Sequence, residues 1–151
     1  MDNEFHWEAR LGGYNTNLAS EFHVLSTLYR LGLDANLSLG NKKSVDITIV
    51  RGPADVVTVD VKAVAKPMDW PVGTKAVANP DRHFLVLLCY NGTFDNPQTS
   101  PDVWVVPYAD LERADLIKPY RGGMCVVSRA ALKATGARYK DRWADLRAAS
   151  T

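Results

Sequence analysis

The run FLVLLCY, residues 84–90, is apolar at every position. A strand with one solvated face alternates apolar and polar side chains, so a continuous run of this length reads as a strand buried on both faces. Such a strand needs layers above and below it. After the polar loop NGTFDNPQTSP, a second apolar run, VWVVPY, reads as its partner. These two segments place the chain among folds with a central sheet covered on both sides.

The remaining segments supply the cover. Asn15, Thr16 and Asn17 offer N-caps for a helix through LASEFHVLSTLYRL, and Gly32 follows as its stop. Its predicted buried stripe comprises residues 18, 22, 25, 28, 29 and 31, with Glu21 inside the stripe. A short strand over 35–39, the turn GNKKS, the strand VDITIV over 45–50, the loop RGPAD and the strand VTVDVKAV over 57–64 follow. The last two strands are expected to pair antiparallel. Residues 66–82 are interrupted by Pro and Gly, with room for a short helix near 73–78. Short helices are expected in YADLERADL, in SRAALKATG capped by Ser128, and over 141–149. The order α-β-β-β-α-β-β-α describes an α/β protein, a central mixed sheet of about five strands flanked by helices in one domain spanning 1–151.

Composition narrows the class. Apolar residues make up 46% of the 151 and charged residues 23%, as in a soluble globular protein. No apolar run approaches the roughly 20 residues of a membrane span, and MDNEFHWEARLGG lacks the apolar centre of a secretory signal, so a cytoplasmic location is the default expectation. The two cysteines, Cys89 and Cys125, have no metal-site spacing and read as buried thiols. The net charge of +1 hides an asymmetry. From Leu116 onward eight bases face two acids, a net +6, whereas the first 115 residues carry ten bases against fifteen acids, a net −5. A basic C-terminal third beside an acidic body points to an anionic partner, with nucleic acid leading, or else to a solvated face.

Chemistry-bearing residues collect in the two paired strands. In VTVDVKAV, Asp60 and Lys62 share the face opposite Val57, Val59 and Val61. In VDITIV, Asp46 lies opposite Ile47 and Ile49, and Glu21 can reach the same region from the helix. An exposed ion pair at a sheet edge or a structural salt-bridge network is the plain alternative. Crowded carboxylates in a partly dry site favour their neutral forms unless a cation sits between them. Mg²⁺, which takes oxygen ligands from one or two carboxylates plus substrate phosphate, suits Asp46 and Asp60, and Lys62 can then orient or deprotonate an attacking water.

These residues, Glu21 in the first helix, Asp46 in SVDITIV and Asp60-Val61-Lys62 in VTVDVKAV, resemble the PD-(D/E)XK nuclease superfamily, the restriction-endonuclease-like fold. Coverage runs from about Asn15 to Tyr108, and the tail GARYKDRWADL resembles endings of small bacterial members. Val45 stands where the motif has Pro, which changes no ligand. The resemblance implies that Asp46, Asp60 and the main-chain carbonyl of Val61 bind Mg²⁺, with Mn²⁺ as a substitute. It also implies that Glu21 assists that ion or a second one, and that Lys62 acts on a metal-bound water. The implied activity is hydrolysis of phosphodiester bonds, with DNA the leading substrate. A non-catalytic module that holds nucleic acid or protein is the alternative, and a homodimer, supplying two sites, stays open.

Lys42, Lys43 and Lys75, and further on Arg138, Lys140 and Arg142, are candidate phosphate contacts. Trp70, in KPMDWPVGTK, is the tryptophan to check for exposure near the site. His6, His23 and His83 stand alone in the sequence and read as satisfied or exposed histidines.

Overall fold

A computed structural model describes residues 2–38, 45–73 and 79–148 of the chain, with side chains from residue 13 onward. The elements are α1 (Asp2–Arg30), β1 (Asp34–Leu37), β2 (Ile47–Gly52), β3 (Asp55–Val64), β4 (Trp70–Gly73), β5 (His83–Cys89), β6 (Asp102–Pro107), α2 (Asp110–Arg113), β7 (Ile117–Pro119), β8 (Cys125–Val127) and α3 (Arg129–Ala134). Five strands form the central sheet in the order β1-β2-β3-β5-β6. Its β2–β3 pair is antiparallel, as expected, while β3 and β5 run parallel with Asp60 opposite Leu85, so the sheet is mixed.

The first helix begins at Asp2, not after residues 15–17. Thr16 is buried inside it, its carbonyl accepting from the Ser20 hydroxyl, so no cap exists there. Residues 2–11, rich in good helix formers, carry the helix through Gly12 and Gly13, each of which costs only about 1 kcal/mol against Ala. At the other end Gly32 adopts φ +77, its N–H donates to Tyr29 and that of Leu33 donates to Leu28. This is the Schellman termination that a glycine after the last turn allows.

The stripe that α1 buries is rotated from the expected one. Thr16, Ser20, Glu21, Val24 and Leu28 are buried, while Phe22 and Tyr29 are 50% and 58% exposed. The small hydroxyl residues allow a close approach to the sheet, where the Ser20 and Tyr90 hydroxyls lie 3.3 Å apart. Val24 and Leu28 then pack onto Val57, Val59 and Val61 of β3.

The opposite face of the sheet carries a second core and a second, three-stranded sheet, β4-β8-β7, that the sequence reading lacked. Gly73, placed there in a short helix, belongs to β4; residues 74–78 lie outside the described ones. Trp70 is fully buried in this layer, donates its indole N–H to the Leu88 carbonyl at 2.9 Å and meets Trp104 edge to face at 5.4 Å. It is a core residue and not an exposed platform. Cys89 is buried, Cys125 half-buried, and both are free thiols.

The C-terminal segment also differs from expectation. Ser128 caps α3 by accepting from the Ala131 N–H at 3.2 Å, as expected, but no helix spans 141–149 among the described residues. Instead Tyr139 and Asp141 bond to Val105 and Val103 of β6, and a 3-10 turn over Trp143–Leu146 buries Leu146 in the first core. Apolar anchors at one end and a free sheet edge at the other hold this segment extended, closing the edge of β6.

Candidate active site

Alternation along β3 decides where its polar residues stand. Val57, Val59 and Val61 belong to the core under α1, so Thr58, Asp60 and Lys62 emerge on the other face. Farther along that face Val64 is covered by the second core, whereas the Asp60 side chain is 28% exposed. The polar residues therefore lie at the margin where the second layer stops.

Asp46 lies one residue before β2, whose Ile47 pairs with Val59. Its own N–H donates to the Val59 carbonyl at 3.1 Å, and its Oδ2 accepts the Val61 N–H at 2.7 Å. The side chain thus stands where the β2–β3 ladder ends. Because a strand residue sends its N–H and C=O to the same side, the Val61 carbonyl leaves toward Asp46. Asp46 and Asp60 thus lie at the same end of one strand pair.

Burial pulls the Asp60 carboxyl toward higher pKa, but His83, then Lys62 and the main chain at Asp46, outweigh it and hold the group below the usual carboxylate range. Asp60 is therefore ionised at neutral pH. Lys62 stands two residues along the same face, where its charge is one of the causes that lower the Asp60 pKa.

Glu21 is placed differently. It is buried, as its position in the sequence implied, but on the helix stripe that faces the Val59 side of the sheet, with Asp60 emerging on the other. No three His, Cys, Asp or Glu side chains form a metal-holding group among the described residues. What the site offers a cation is two carboxylates and a carbonyl, an all-oxygen set that suits Mg²⁺ or Mn²⁺ completed by water or phosphate.

His83 was missed by sequence reasoning. It opens β5, is 1% exposed, and its Nε2 lies 3.3 Å from Asp60 Oδ2. Only the parallel register, with His83 opposite Thr58, reveals this, and nothing local to His83 signals it.

A bacterial homing endonuclease, I-Ssp6803I, has a similar structure, with a TM-score of 0.57 over 89% of this chain and 92% of that one at 13% identity. The mixed five-stranded sheet and flanking helices of this chain are consistent with that likeness. The chain has the restriction-endonuclease-like fold. The Holliday junction resolvase Hjc of Archaeoglobus fulgidus aligns with a TM-score of 0.48 over 78% of this chain and 88% of that one, at 12% identity. No protein-family model and no curated protein matches the sequence.

On this restriction-endonuclease-like frame four of the eight bases of the C-terminal third, Lys118, Arg138, Lys140 and Arg142, are ion-paired among the described residues. Arg138 lies 3.6 Å from Asp110 and over the Tyr139 ring, and Lys140 lies 3.5 Å from Asp102 and 3.1 Å from Asp141. Arg142 meets Asp145 at 3.3 Å. Only the pairs with Asp102, Asp110 and Asp115 set these bases against the acidic first 115 residues, because Asp141 and Asp145 belong to the basic third itself. Lys42, Lys43 and Lys75 lie outside the described residues.

Proposed function

We propose that this protein is a metal-dependent nuclease that hydrolyses phosphodiester bonds of nucleic acid, with DNA as its substrate. The observation that supports the reading is the end of the β2–β3 ladder, where Asp46 Oδ2 accepts the N–H of Val61, the residue after Asp60. Lys62 stands on the Asp60 face. The likeness to a homing endonuclease supports the same class of chemistry.

Asp46, Asp60 and the Val61 carbonyl would hold Mg²⁺ or Mn²⁺, and Glu21, on the other face of the sheet, is left out of this set. The ion's part is to neutralise charge building on the phosphate and to make water more acidic. Lys62 orients the attacking water or accepts its proton, a contribution of about 10²–10⁴-fold for a well-placed general base. Asp60, kept ionised by its surroundings, supplies the negative charge that draws a cation to the site.

Cleavage of plasmid, linear duplex, branched and single-stranded DNA and of RNA, in Mg²⁺, Mn²⁺ or EDTA, tests the reading. Metal-dependent cutting by the wild type, absent from an identically purified Lys62→Ala variant, is expected. Binding without cutting by both proteins would instead support a non-catalytic nucleic-acid-binding module.

A further inference from the structure

We propose that His83 is a positioning residue that fixes the Asp60 carboxylate for cation binding, a role that rests on the nuclease reading of the site. The imidazole has two holding contacts. Its Nδ1 lies 2.7 Å from the Thr58 hydroxyl and its ring meets Tyr108 edge to face at 5.2 Å, while the His83 main-chain carbonyl accepts the Tyr108 N–H at 2.9 Å. The ring therefore has little rotational freedom.

The tautomer that serves both polar contacts has Thr58 donating to Nδ1 and the ring proton on Nε2, the atom facing Asp60. At 3.3 Å, Nε2 is within ion-pair range of Asp60 Oδ2, yet it has no aligned hydrogen bond. A buried donor left in that state favours any small rotation of Asp60 that completes the bond. Such a bond would engage Oδ2, leaving Oδ1 for a cation.

The parallel β3–β5 register makes this arrangement. Thr58 and His83 face each other, and Asp60 follows Thr58 by two residues on one face of the sheet. A histidine serving only to fill the core has no need of a carboxylate at the margin. Groups that orient a metal-binding carboxylate typically alter metal affinity by about 10–100-fold when removed.

Mn²⁺ binding measured by calorimetry on wild type, His83→Ala and His83→Gln, alongside their melting temperatures, tests the proposal. His83→Ala is expected to weaken Mn²⁺ binding about 10–100-fold, and Gln, whose amide N–H can face Asp60, to restore part of it. Unchanged Mn²⁺ affinity in folded His83→Ala overturns the proposal, as does a fall in melting temperature alone. Should neither variant fold, the ¹⁵N shift of His83 Nε2 in wild type and Asp60→Asn decides it: a shift between the two supports the contact, and none overturns it. Absence of Mn²⁺ binding by the wild type overturns both this proposal and the nuclease reading. Mn²⁺ binding that depends on His83, in a protein that cuts no substrate, overturns the nuclease reading alone.

Discussion

The two halves of the central sheet are built from similar apolar sequences and end in different states. Every residue of β5 is buried, because α1 covers one face and the β4-β8-β7 layer covers the other. In β3, one strand away, burial alternates, and the face bearing Thr58, Asp60 and Lys62 is only partly covered. The difference shows that the second layer stops short of β2. Charge is tolerated along that margin and nowhere within β5, so the same sheet supplies both a rigid support and a polar site.

Substitution can break this contrast. On the β3 side, Lys62→Ala is expected to lower the cleavage rate about 10²–10⁴-fold, the worth of a general base, with almost no change in melting temperature. A large fall in stability would mean that Lys62 is structural after all. On the β5 side, Leu87→Ala should destabilise the fold by about 2–5 kcal/mol in denaturant titration, because Leu87 is fully buried in the second core.

Smaller effects sharpen the picture. The buried Tyr139 phenol is pushed up to about 12 by burial and by its 2.9 Å bond to Asp110. A raised folded pKa means that this contribution is complete below about 10, the ordinary tyrosine value, and is lost as pH rises through about 12. Melting curves across that window should show the loss in wild type and not in Tyr139→Phe. Least of all, Lys140→Ala should weaken nucleic-acid binding less than about threefold and leave its salt dependence nearly unchanged. Lys140 is already paired with Asp102 and Asp141, and exposed pairs contribute about 1 kcal/mol or less.

The same contrast explains what was legible in the sequence. Continuous burial in FLVLLCY and alternation in VTVDVKAV are local patterns, and both gave the right strands, the antiparallel β2–β3 pair and the face shared by Asp60 and Lys62. The burial of Glu21 followed from its spacing to Val24. Long-range partnerships left no local mark. The β4, β7 and β8 strands are three or four residues long and two contain proline, too short for a period to show. His83 meets Asp60 only through parallel pairing of strands 18 residues apart in sequence, Val64 to His83 excluded. The tail gave a false helix because Trp143 and Leu146 have helical spacing, whereas the open edge of β6 draws residues 139–141 into an extended bridge.

The central claim is that the charged margin of β3 cleaves nucleic acid with a bound cation, and Asp60 is its most direct probe. Wild type and Asp60→Ala, purified in parallel and shown to be equally folded, should be assayed on the substrate panel in Mg²⁺ and in EDTA. Cutting by the wild type in Mg²⁺ alone, absent from Asp60→Ala, is the predicted result. Equal cutting by both proteins, or none by either while both bind nucleic acid, would contradict it.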